Sequence, residues 1–189
     1  MTAQKSSLST HRENTTIEKS VSIQDMMHCR ERRARFQDSF LESYHSTVIS
    51  FCMNIPGPIK TNPDIRQAFE QGYQAIKNVL LMHHIFIQNE ILIHNFTGDE
   101  YILSVEANAQ EIKKWMCDIE DTHPLGRIFD IDVLDKNGTK LSRDSFRKCI
   151  LCDCQAQECA RSRRHSVDEM FQAITNLIQV NQTGLVSQI

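Results

Sequence analysis

Two stretches of helical periodicity, each bracketed by short runs of β-branched and aromatic residues, constrain this chain most. In the first, Ile65, Phe69, Tyr73, Ile76 and Leu80 recur at helical spacing. They follow Asn62-Pro63, a cap and a proline suited to the first helical position. In the second, Ile112, Trp115, Met116 and Ile119 follow the capping-box pair Asn108 and Glu111. A buried strand is expected over 47–55 (TVISFCMNI). Two more are expected over 85–96 and 101–105, joined by a Thr97-Gly98-Asp99-Glu100 hairpin turn, and a fourth over 129–133. The order is β-α-β-β-α-β. It predicts an α+β protein with a ferredoxin-like sandwich core, the split βαβ pattern, and an antiparallel or mixed sheet with helices on one face.

A further helix is expected at each end. Ser22 with Asp25 caps a helix running to about Tyr44, with Phe36, Phe40, Leu41 and Tyr44 on one stripe. Ser166 with Glu169 boxes a last helix that turns Met170, Phe171, Ile174, Leu177 and Ile178 inward. Residues 1–20 are polar and lack apolar periodicity, which predicts a disordered leader before a single domain over 21–182. With 189 residues there is room for one such domain and its appendages. No apolar run approaches the ~18 residues a membrane span needs, and no signal-peptide core opens the chain. The seven cysteines therefore predict thiols or metal ligands in a reducing cytoplasm. A net charge of −3 gives no general attraction to nucleic acid or membrane.

The chemistry concentrates in His123-Pro124-Leu125-Gly126-Arg127 and the strand that follows. Phe129, Ile131 and Val133 point to one side of that strand, and Asp130 and Asp132 to the other. Aspartates two residues apart in a strand lie roughly 6–7 Å apart along the backbone. Both can reach one hard cation, and Mg²⁺ is commonly held by one or two carboxylates plus substrate phosphates. The plainer reading is an exposed sheet face that carries two acids.

Other clusters each have two readings. Cys149-x2-Cys152-x6-Cys159-x5-His165 has the residue types of a zinc site, with Cys154 nearby. Its spacing is not that of a standard finger, and reduced, partly buried thiols are the alternative. Arg161, Arg163 and Arg164 precede the N-terminus of the last helix, as an anion site or as a solvated charge run. Arg30, Arg32, Arg33 and Arg35 on the first helix meet phosphates or water. Lys60 follows the stiff Pro56-Gly57-Pro58 turn, and it, His123 and Arg127 can each neutralise a polyphosphate or simply lie at the surface. There is no P-loop, GxSxG elbow or dinucleotide glycine fingerprint.

Taken in order, Pro-Gly-Pro-Ile-Lys at 56–60, His-Pro-Leu-Gly-Arg-x-Phe-Asp-Ile-Asp-Val at 123–133, and Cys-x-x-Cys followed by Cys-Ala-Arg-Ser-Arg-Arg-His-Ser at 159–166 resemble the holo-acyl-carrier-protein synthases of citrate lyase. These are also called apo-citrate lyase phosphoribosyl-dephospho-CoA transferases. The resemblance runs from about Ser22 to the last helix. It implies a nucleotidyltransferase that moves a prosthetic group from 2'-(5''-triphosphoribosyl)-3'-dephospho-CoA to a serine of the acyl carrier (gamma) subunit of citrate lyase, releasing pyrophosphate. On this expectation Asp130 and Asp132 hold Mg²⁺ and Arg127 joins them at the catalytic centre. Lys60, Gly57, His123, Gly126, Arg161, Arg163 and Arg164 bind substrate. Independently of the resemblance, any Zn²⁺ held by Cys149, Cys152, Cys159 and His165 is expected to be structural, because four protein ligands leave no open position for chemistry. Two other classes compete: a zinc-stabilised, non-enzymatic interaction module, and a nucleotide- or RNA-binding domain using its sheet face. The latter usually carries exposed sheet aromatics and a basic pI, whereas here the pI is about 6.2.

Overall fold

A computed structural model describes residues 19–184. Its elements are α1 (Ile23–Tyr44), β1 (Thr47–Met53), α2 (Pro63–Met82), β2 (Ile87–Ile93), β3 (Glu100–Val105), α3 (Ala109–Thr122), a 3-10 turn (Gly126–Ile128), β4 (Phe129–Leu134), α4 (Ala156–Arg161) and α5 (Val167–Thr183). The four strands form one sheet in the order β2-β3-β1-β4, and every neighbouring pair is antiparallel. The α+β expectation holds. Of the expected leader, residues 1–18 lie outside the described residues. The Lys19 ammonium sits over the Phe96 ring, 3.6 Å from its centroid.

The helix starts form as local chemistry dictates. Ser22 and Asp25 close a full capping box, as do Ser166 and Glu169. Asn62 accepts the Ile65 amide with Pro63 opening α2, and Asn108 accepts the amides of Gln110 and Glu111. The expected return strand near Leu141 is reduced to an isolated bridge between Leu134 and Lys140. The short α4 was not anticipated.

The helices do not all lie on one face. Ile49 and Phe51 of β1, Leu103 of β3 and Ile131 of β4 pack against Phe69 and Ile76 of α2, Ile112 and Met116 of α3, and Ile174 and Ile178 of α5. On the opposite face Phe40 of α1 packs on Val48, Ile102 and Leu134, with Phe36, Leu41 and Tyr44 around it. The result is three layers, α1 against one face and α2, α3 and α5 against the other. Strand alternation shows that both faces carry apolar residues, but helical periodicity does not say which face a helix will cover. No described helix is long and apolar enough to cross a membrane.

Candidate active site

The α1 face of the sheet is divided. The C-terminal half of α1 covers its apolar part, and the N-terminal half overhangs a polar part built by alternate residues of three strands. Register places Asp130 opposite Cys52 and Asp132 opposite Ser50, with Glu100 across β1 from Asp130. Phe129, Ile131 and Val133 are buried on the other side, so the period-2 reading of β4 describes its actual orientation.

A cavity of about 330 Å³ opens over this polar patch, with Asp130, Asp132, Lys60, Lys140, Arg30 and Arg33 in its lining. The Lys140 ammonium lies 2.7 Å from Asp132. Lys60 donates to the Ile55 carbonyl at 2.6 Å. Burial, and secondarily the charge of Arg30, hold Lys60 below the usual lysine pKa. The Cys52 thiol donates to Asp130 at 3.8 Å, and burial pushes its pKa up to about 12. Arg32 and Arg33 are neither a solvated face nor free for a ligand. Both reach inward to the buried Glu100 carboxylate at 2.5 Å. Of the α1 arginines, Arg30 and Arg33 border the cavity, and Arg35 bonds the Glu31 carbonyl within its own helix.

Two larger spaces adjoin this cavity, and Asn54, just past β1, lines all three. One, about 750 Å³, runs from Asp130 and Asp132 past Lys140 and Arg143 to Arg147. The other, about 680 Å³, is bordered by Arg127, Arg147, Arg163 and the start of α5. Acids able to take a divalent cation thus adjoin several cations able to meet phosphate oxygens.

The segment 140–150 is fastened by a group the sequence reading missed. Glu120, near the end of α3, is 3% exposed. It accepts the Ile131 amide at 2.9 Å and faces Arg143 at 3.0 Å and Arg147 at 3.5 Å. Lys113, on the same face of α3, donates to the Ile131 carbonyl at 3.2 Å. β4 is an edge strand, so the outward backbone groups between the two aspartates need partners, and α3 supplies both. Burial raises the Glu120 pKa against the opposing pull of Arg147, the Ile131 amide and Arg143.

The remaining expected residues are dispersed. Arg127 lines the 680 Å³ cavity and donates to the Lys148 carbonyl. Arg163 lines the same cavity, whereas Arg161 is exposed and borders none of these three spaces. Arg164 turns to Cys154, 2.7 Å from its sulfur. Gly57, at φ +78°, lies so close to α5 that an added Cβ would sit 3.3 Å from Val167. His123 and Gly126 build the turn into β4 and border none of the three cavities. His123 Nδ1 accepts the Leu125 amide at 3.0 Å, and its ring lies 4.9 Å from that of Phe129. Gly126 is where the chain passes the end of α3, and a Cβ there would come within 2.4 Å of the Glu120 carbonyl oxygen. The Cys149, Cys152 and Cys159 sulfurs and a His165 ring nitrogen all lie within 4.8 Å of one another, a set that can hold a metal ion. The His165 contact draws the Cys152 thiol down to about 6.

Comparison with known proteins adds the family. A family model described as apo-citrate lyase phosphoribosyl-dephospho-CoA transferase matches residues 21–181. A Streptococcus pyogenes serotype M18 protein named "Probable apo-citrate lyase phosphoribosyl-dephospho-CoA transferase" is 38% identical over 166 residues, covering 84% of this chain and 85% of the relative. Proteins named as that transferase from Citrobacter koseri and Escherichia coli O1:K1 are 34% and 32% identical, over 80% and 84% of this chain and 85% and 88% of their own lengths. A match of this extent shows that the chain belongs to the apo-citrate lyase phosphoribosyl-dephospho-CoA transferase family.

Proposed function

We propose that this protein is a nucleotidyltransferase acting on the acyl carrier (gamma) subunit of citrate lyase. It would transfer the prosthetic group of 2'-(5''-triphosphoribosyl)-3'-dephospho-CoA to a serine hydroxyl of the carrier and release pyrophosphate. The observation that carries this reading is the convergence of Asp130 and Asp132 with Lys60, Lys140 and Arg30 on one cavity. The strand order, with all pairs antiparallel, supports a ferredoxin-like split βαβ core inside a single domain over 21–182.

The paired carboxylates suit Mg²⁺, being hard oxygen donors on the same side of one strand with room left for phosphate oxygens. The bound cation would supply charge neutralisation at the reacting phosphate. Asp130 and Asp132 hold it, and the pair also offers an acceptor for the serine proton. Lys140 and Lys60 offset negative charge on the donor, as the developing pyrophosphate leaving group requires. Arg127 and Arg163 bind the donor along the adjoining cavity. Glu120 and Lys113 keep the strand between the aspartates in register.

The test is pyrophosphate release on mixing protein, donor, apo-carrier and Mg²⁺. Release that stops without Mg²⁺, and falls on the order of 10²-fold or more in Asp130→Asn or Asp132→Asn at an unchanged melting temperature, supports the assignment. Near wild-type turnover in both variants refutes it.

A further inference from the structure

We infer that Cys149, Cys152, Cys159 and His165 bind one structural Zn²⁺ that clasps the wall of the 680 Å³ cavity.

The first ground is geometry. A tetrahedral ion with Zn–S bonds of about 2.3 Å places neighbouring sulfurs about 3.8 Å apart. Cys152 and Cys159 sulfurs are 3.9 Å apart, and the His165 Nε2 is 3.3 Å from Cys152. All four donor atoms lie within 4.8 Å of one another, which suits a single ion. An iron–sulfur cluster spreads its ligands farther apart. All seven cysteines are free thiols in the structure.

The second ground is that, beyond the polar contacts of Arg143 and Arg147, the segment has little apolar packing to hold it. Between 142 and 165 only Cys149 and Cys159 are buried. Phe146 and Leu151 are 62% and 40% exposed, and Ile150 alone of the segment's large aliphatic and aromatic residues packs, partly buried, against the core. A segment with so little apolar burial cannot offset its ordering entropy by a core of its own. Its local bonds instead shape the ligand loop. Lys148 bridges Gln155, the Cys149 amide donates to the Cys154 carbonyl at 2.8 Å, and the Leu151 amide points at the Cys149 sulfur at 3.5 Å. Three pieces of chain supply the four ligands: this loop, α4 with Cys159, and His165 just ahead of the α5 cap.

The third ground is position. Cys149, Cys159 and His165 border the same cavity as Arg127, Arg147 and Arg163. Four protein ligands close the coordination sphere and leave no open position for catalysis, so the ion is structural. Cys154 is outside the set, facing Arg164.

The test is elemental analysis of protein purified without added metal, followed by hydrogen–deuterium exchange before and after zinc removal with a strong chelator. The expected result is one zinc per chain, retained in Cys154→Ser and His165→Cys and lost in Cys149→Ser and Cys159→Ser. Removal should raise exchange across 148–166 while β1 and β3 stay protected. Less than about a tenth of an equivalent of zinc, an intact mass showing a disulfide, or equal zinc loss in Cys154→Ser would overturn the site. Uniform loss of protection on chelation, or none, would overturn its role as a local clasp.

Discussion

Glu120→Gln should destabilise the protein by about 3 kcal/mol, because the buried carboxylate that two arginines face loses its charge while both bases remain. Breaking a fully buried pair costs about 3–5 kcal/mol. Here the lower end applies, since neither arginine is stranded. Arg143 keeps Asp121 at 2.5 Å, and Arg147 keeps the carbonyls of Gly126 and Arg127 at 3.0 and 3.2 Å. Gln retains an oxygen for the Ile131 amide, but Ala does not, and an unsatisfied buried N–H adds about 1–3 kcal/mol. For a domain of this size a 3 kcal/mol loss lowers Tm by about 6–12 °C. Thermal and urea unfolding followed by circular dichroism measure both variants. A Gln variant melting within about 1 °C of wild type, or an Ala variant no worse than Gln, would show that Glu120 does not anchor this network.

Gly126→Ala should cost about 2–3 kcal/mol in urea unfolding, because the new Cβ meets the backbone of Glu120 and Ile119, which cannot yield as a flexible side chain can. Burial holds the His123 imidazole below its ordinary pKa of 6.5, so the unfolded chain takes up that proton first. This residue's contribution is therefore fully present above pH 6.5 and lost as the pH falls below it. His123→Asn, which keeps an acceptor for the Leu125 amide, should flatten the acid side of the Tm profile, and an unchanged profile would argue against it. Lys140→Ala should shift stability by less than about 1 kcal/mol, as expected for an exposed ion pair, while raising the donor KM several-fold in the pyrophosphate assay.

What was legible in the sequence was local. Capping boxes at Ser22 and Ser166 and the Asn62-Pro63 start depend on residues within one turn, and they form as the residue types require. The alternation of Phe129, Ile131 and Val133 with Asp130 and Asp132 likewise sets which way each side chain points. What was illegible depended on distant partners. Arg32 and Arg33 turn inward because Glu100, more than sixty residues away, is buried beneath them. α4 is only six residues long and has no side-chain cap, so it left no periodic signature. Glu120 and Lys113 did leave one. Glu120 falls four residues after Met116, on the apolar stripe of α3, and a charged residue there marks a buried partner. The clustering of Asn54, Arg143 and Arg147 around the site follows from how the loop after β4 folds back, which no short spacing encodes.

On the proposed function, the Asp130–Asp132 cavity attaches a prosthetic group to a carrier serine. Intact-mass spectrometry of apo-carrier, incubated with this protein, 2'-(5''-triphosphoribosyl)-3'-dephospho-CoA and Mg²⁺, tests it most directly. The expected result is a gain equal to the donor less pyrophosphate, located on one serine and absent with Asp130→Asn. A carrier of unchanged mass, with no pyrophosphate released, would contradict it.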